Sequence, residues 1–257
     1  MNQVLSKLLC LLLLFSLCQT TLTAQSEKTK NDSIYAPEEL KFRPSAFIIP
    51  SVLIGFGVVG MESHFIKSIN GEIREELNES VDEYVTIDNF SQYAPLVSVY
   101  ALNAAGIKGK HNFKDRTVIL ATAYLLMGIS VNSMKKAVHI TRPDGSSRNS
   151  FPSGHTATAF MGAEFLYQEY KDESIWYGVA GYVVAAGTGF YRMYNNRHWL
   201  TDIAAGAGIG ILSTKIAYWV HPLLTGKNKK APGSISVESL APYTNGKQTG
   251  FCMLVRF

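Results

Sequence analysis

Apolar segments close to the length of a membrane span recur along this chain, and each ends in glycine, proline or a charged loop. They cover residues 45–61, 91–107, 117–134, 175–191 and 203–220, with a shorter one at 156–170. Segments of that length and apolarity read as helices, near the minimum for crossing a bilayer. The last two are rich in glycine and alanine, including Gly206, Gly208 and Gly210, and small residues let helices approach closely. The expected fold class is therefore all-α: a bundle of about six helices with the active site at one end. Residues 62–84 differ, because Ile66, Ile69, Ile73, Leu77 and Val81 recur at helical spacing among Glu72, Glu75, Glu76, Glu79 and Asp82. That is an amphipathic helix with an acidic face.

The flanks have their own character. Residues 1–24 read as a signal peptide, with Lys7 ahead of an apolar run too short to span and a small, polar stretch ending at Ala24. Residues 25–43 are a polar leader. The helical bundle is expected over 44–225. The tail, 226–257, is expected to form a β-hairpin from residues 234–241 and 250–257, because Asn245-Gly246 between them is a strong hairpin signal. Cys10 and Cys18 fall in the signal, so the mature chain keeps only Cys252 and forms no internal disulfide. The net charge of +4 and the lack of long basic blocks point away from nucleic acid. The basic loop 108–114 prefers the cytoplasmic side of a membrane, which turns the next loop outward.

The charged chemistry is concentrated in three stretches, each at the end of an apolar segment. Lys135 and Arg142 lie seven residues apart, two turns of a helix, with Pro143 as a stop. Pro152, Ser153, Gly154 and His155 form a turn that opens the next helix, where free backbone N–H groups favour an anion. Ser153 offers a hydroxyl there, and Gly154 lets the backbone come close to a ligand. Arg192, His198 and Asp202 follow. His198 and Asp202 are spaced i,i+4 on one helical face, so the carboxylate can hold one ring nitrogen and leave the other free to attack. Three fixed cations suit a phosphate, and two histidines suit a nucleophile and a proton donor. His64, His111, His139 and His221 lack such company and are expected to be structural or exposed. No Asp/Glu/His cluster with metal-ligand spacing accompanies the cations, so no metal or other cofactor is expected.

Lys135, Arg142 and Pro143, then Pro152 to His155, then Arg192, His198 and Asp202 resemble the three motifs of the type 2 phosphatidic acid phosphatase superfamily. That superfamily also includes bacterial acid phosphatases and vanadium haloperoxidases. The resemblance implies that His198, activated by Asp202, attacks phosphorus and forms a phosphohistidine. It implies that His155 protonates the leaving oxygen and then activates water. Lys135, Arg142, Arg192, Ser153 and the Gly154 N–H would hold the equatorial oxygens. Tyr191 stands where the family usually has serine. The expected function is a metal-independent phosphatase of the cell envelope acting on lipid phosphates of the lipid A, undecaprenyl diphosphate or phosphatidylglycerophosphate class. Its expected place is the inner membrane with the site facing the periplasm, or the periplasm itself. The alternatives are a soluble acid phosphatase for small phosphomonoesters, a vanadate-dependent haloperoxidase, and a non-catalytic scaffold.

Overall fold

The computed structural model of the chain describes residues 44–79, 86–226, 236–244 and 249–256. The expected signal peptide and leader lie outside the described residues. A 3-10 turn at Pro44–Phe47 enters α1 (Ile48–Gly60), followed by α2 (His64–Asn78), α3 (Asp88–Ser91), α4 (Ala94–Ala104), α5 (Phe113–Ala137), α6 (Gly154–Tyr170), α7 (Ile175–Tyr194) and α8 (Leu200–Leu224). The described residues thus form eight α-helices rather than about six. The apolar run 91–107 begins with the end of a single-turn helix, and Pro95 sits in the first turn of the next. There its missing N–H costs nothing, so the proline starts a helix and does not break one.

Several helix starts are written in the local sequence. Ser63, Asn112, Ser153 and Ser174 each accept a backbone N–H from two or three residues on, at α2, α5, α6 and α7. A side-chain oxygen at that position satisfies one of the donors that a helix leaves orphaned, for about 1 kcal/mol.

The core is organised on α6, in which 12 of 17 residues are buried. Met161 and Phe165 from this helix meet Val99 of α4, Ile119 and Met127 of α5, and Ile209 of α8. Each such side chain contributes about 1.5–3 kcal/mol by leaving water. The α8 glycines allow backbone to pack on backbone. A Cβ on Gly206 would lie 2.5 Å from the Ser153 carbonyl, and one on Gly208 would lie 2.6 Å from the Pro50 carbonyl. One side of α8 therefore rests on the start of α6 and another on α1.

Glu164 is buried in mid-helix and is tolerated because it is fully engaged. Gln168 and Lys215 donate to it at 2.6 and 2.8 Å, and the Tyr182 hydroxyl donates to its second oxygen. A carboxylate buried without such donors would cost several kcal/mol.

Among the described residues, two helices are long and apolar enough to cross a membrane, α5 and α8. The pair formed by residues 44–60 and 64–77 passes the same test only if taken together, and it is bent by 92°. The expected span at 45–61 is accordingly a 13-residue helix that turns sharply into the amphipathic α2. The expected span at 175–191 becomes α7, whose tyrosines and glycines hold its hydropathy below that of a span.

The chain divides into two compact units. One carries the helices as far as His221, and the other runs on from Pro222. In the second unit, β1 (Ser236–Thr244) and β2 (Thr249–Arg256) pair antiparallel, with Thr244 opposite Thr249 and a register irregularity between Val237 and Ser239.

Candidate active site

Four helix ends meet around the three motifs. Lys135 lies in the last turn of α5 and Arg192 in the last turn of α7, while His155 and Asp202 occupy the first turns of α6 and α8. Lys135, Arg142 and Arg192 lie within Coulomb range of one another. Three like charges gathered this way repel, and an anion among them relieves the repulsion.

The local geometry departs from two expectations. Lys135 and Arg142 do not share a helix, because α5 stops at Ala137 with Val138 extended. Arg142 instead sits in a loop closed by its own N–H on the Ser147 carbonyl and by Gly145 N–H on the Arg142 carbonyl, both at 3.0 Å. That loop is tied to the third motif. Arg197 pairs with Asp144 at 2.9 Å, and Asp144 N–H donates to the Asn196 carbonyl at 3.1 Å. Lys135 Nζ donates to the Asn149 carbonyl at 2.6 Å, so it braces the same loop.

His198 and Asp202 do not share a helical face either. His198 precedes α8 and is held by its own N–H on the Arg192 carbonyl, at 3.2 Å. Asp202 Oδ2 accepts the Trp199 N–H at 2.9 Å, the reach-back half of a capping box. The same oxygen lies 3.4 Å from His198 Nδ1. The capping requirement thus fixes the carboxylate that orients the histidine. Both side chains are buried, and burial holds the His198 imidazole below its ordinary pKa, so the ring is neutral.

Three residues the motifs did not disclose complete the arrangement. The fully buried Ser150 hydroxyl donates to Asp202 Oδ2 and lies 3.4 Å from His198 Nδ1. Asp88 accepts Arg192 Nη1 at 2.7 Å, with both side chains buried. Asn89 Oδ1 lies 3.1 Å from His155 Nε2. Ser150 stands two residues before Pro152, and nothing in its spacing marks it. Asp88 and Asn89 are too far away in sequence to be tied to the motifs by pattern.

The other expected residues are placed as follows. Ser153 is wholly buried, and its hydroxyl is engaged with the Thr156 N–H and hydroxyl at the start of α6. Around Gly154 a Cβ would meet only Val131, at 3.9 Å, so neighbouring protein atoms do not demand glycine there. Tyr191 belongs to an aromatic cluster with Phe190 and Tyr194. His64 and His139 are exposed. Burial, then repulsion from Arg192, pushes the His155 pKa down to about 4. The buried Nε atoms of Arg142 and Arg192 have no hydrogen-bond partner, and neither has Asp202 Oδ1. Two guanidinium donors left unpaired beside a neutral, carboxylate-oriented histidine suit an oxyanion. Among the described residues, no three His, Cys, Asp or Glu side chains cluster so as to hold a metal ion.

A profile of the PAP2 superfamily matches residues 116–225, which contain all three motifs. The likeness to that superfamily is thus carried by residues 116–225. Asp88 and Asn89, which hold Arg192 and His155, lie before the matched PAP2 segment. Among curated proteins, the chain is 41% identical over 169 residues to a lipid A 1-phosphatase of Porphyromonas gingivalis, covering 63% of this chain and 38% of that protein. It is 35% identical over 77 residues to the bacitracin transport permease protein BcrC of Bacillus licheniformis, covering 30% and 36%. The chain thus spans less than two fifths of the length of these relatives. Two solved structures are similar at a TM-score of 0.46 each. One is Aquifex aeolicus LpxE, 24% identical, covering 58% of this chain and 94% of that one. The other is a transmembrane PAP2 type phosphatidylglycerolphosphate phosphatase from Bacillus subtilis, 19% identical, covering 71% and 98%.

Proposed function

We propose that this protein is a metal-independent phosphatase for lipid phosphates that works through a phosphohistidine. The observation that carries the reading is the buried Ser150–Asp202–His198 cluster beside the unpaired Nε atoms of Arg142 and Arg192. Asp202 and Ser150 hold His198 with Nδ1 inward, so Nε2 is the nitrogen available to attack phosphorus. Lys135, Arg142, Arg192 and the Gly154 N–H would take the three equatorial oxygens, with Ser153 fixing the turn that presents that N–H. His155 is neutral in the free protein. A bound phosphate dianion offsets the repulsion from Arg192 and Arg142, so the imidazole gains its proton where the leaving oxygen needs it. The same ring, neutral again, then activates water against the phosphohistidine.

Lipid substrates are favoured by two helices of spanning length, α5 and α8, both of which end or begin at the site. Support also comes from the 41% identity to a lipid A 1-phosphatase. The reading includes an exported chain with a signal peptide over 1–24, a leader over 25–43, the bundle over 44–225 and a hairpin tail over 226–257. It places the site on the periplasmic side of the inner membrane.

Purified protein, reacted briefly with radiolabelled lipid phosphate and quenched, is expected to carry an acid-labile label. His198→Ala is expected to carry none and to lose turnover. Excess EDTA should leave the wild-type rate unchanged. Full turnover in His198→Ala refutes the nucleophile, and a clear preference for p-nitrophenyl phosphate over a long-chain lipid phosphate refutes the lipid reading.

A further inference from the structure

The bundle has a second polar centre, at the other end of the helices that build the active site. Glu169, in the last turns of α6, is buried and saturated. It accepts from the His111 N–H at 3.1 Å, the His111 ring at 2.7 Å, Arg116 Nε at 3.1 Å and the Tyr218 hydroxyl at 2.6 Å. Arg116, 1% exposed, also donates from Nη2 to the His111 carbonyl at 2.7 Å. Gly109 lets the loop pass over this pair, since a Cβ there would lie 2.8 Å from Arg116 Nη2. The remaining guanidinium nitrogen, Nη1, is buried and has no hydrogen-bond partner. Asp115, the other nearby acid, is engaged with Asn112 at 2.7 Å and His221 at 3.4 Å.

A cavity of about 290 Å³ lies over this network. Arg116 lines it, together with Lys108, Lys110, Asn112 and Phe113. Asn112 caps α5 by accepting the Asp115 N–H, and the positive end of the helix dipole comes to the same place. Both nearby carboxylates are occupied, so the cavity keeps a surplus of positive charge and an unpaired buried donor. From Phe113 to Lys135 is 22 residues of one helix, about 33 Å at 1.5 Å per residue. This centre is therefore separate from the active site and, where α5 crosses a bilayer, lies on its opposite face.

We propose that this cavity is a binding site for a phosphate-class anion, either the headgroup of an anionic lipid in the leaflet opposite the active site or free phosphate. The chemistry is the same for both: oxygens paired with Arg116 and the α5 N-terminus, with Lys108 and Lys110 as the rim.

The test uses the full chain in neutral detergent and reads thermal midpoint and affinity against two probes, phosphatidylglycerol micelles and inorganic phosphate. Because Arg116 also holds Glu169, the first variant is Lys108→Gln with Lys110→Gln, two exposed side chains. Anion bound at the active site contributes equally to this variant and to the wild type. The site is expected to bind the double variant about tenfold or more weakly, with unchanged turnover of a soluble phosphate ester. Arg116→Lys, which keeps a charge for Glu169, is expected to weaken binding with helical content retained; if it unfolds, the lysine pair decides. Response to phosphatidylglycerol alone assigns a lipid headgroup, and response to both probes assigns phosphate. Equal affinity in wild type and double variant, or no response to either probe in the wild type, overturns the proposal. The readout is binding, so it stands or falls independently of the phosphatase reading.

Discussion

Replacing Gly206 by alanine tests whether the seating of α8 on α6 sets the geometry of the site. The added Cβ would lie 2.5 Å from the Ser153 carbonyl oxygen and 3.3 Å from Thr156 Cβ. Ordinary contact distances require the helices to part there by about 0.8 Å. The atoms in the way are backbone at the head of α6, so no side chain can rotate to make room. That same backbone precedes Gly154 and His155, and Ser153 N–H donates to the Asp202 carbonyl at 3.1 Å. Parting the helices thus moves His155 and the turn at Gly154 away from His198 and Asp202. Overpacking of this kind costs about 1–3 kcal/mol of stability. A misplacement near 1 Å costs up to about 100-fold in rate. Gly128 and Gly187 are the controls, because a Cβ at either meets nothing within 4 Å. Alanine there should stabilise the helix by about 0.5–1 kcal/mol. The assay is kcat on a soluble phosphate ester beside the thermal midpoint, all in one detergent. The expected order is a lowered kcat and midpoint for Gly206→Ala only. Wild-type kcat and midpoint in Gly206→Ala, or an equal fall in kcat in Gly128→Ala, refutes the reasoning.

Two further outcomes are expected. Ser150→Ala leaves Asp202 without its hydroxyl donor in a buried setting, at about 1–3 kcal/mol; if all of that is lost from the transition state, kcat falls roughly 5- to 160-fold, and a kcat within twofold of wild type shows that Ser150 does not position the pair. The His155 pKa falls from an unfolded value of 6.5 to about 4, so the unfolded chain takes up the proton first as pH drops. Its contribution to stability is complete above pH 6.5 and is lost between 6.5 and about 4. The drop in thermal midpoint across that window should be smaller in His155→Gln than in wild type, and parallel curves would exclude His155 as its source.

The sequence disclosed the parts of the site that have local causes. Pro152 to His155 opens a helix because Ser153 is a cap, and the ends of α5 and α7 deliver Lys135 and Arg192 because apolar runs stop beside them. What pattern missed is tertiary. Asp88 meets Arg192 across 104 residues and Asn89 meets His155 across 66, and no periodicity reaches that far. The i,i+4 spacing of His198 and Asp202 fits a helix, yet the Asp202 side chain caps the Trp199 N–H and α8 starts two residues after His198. The far-end network was legible only as a basic loop, since the partner that organises it, Glu169, sits 58 residues from His111.

Asp88 and Asn89 are consecutive residues in a single-turn helix, and one holds the Arg192 cation while the other holds the His155 ring. Adjacent residues on so short a helix have no freedom to travel apart. A shift of this one turn therefore reaches the Arg192 guanidinium and the His155 ring together.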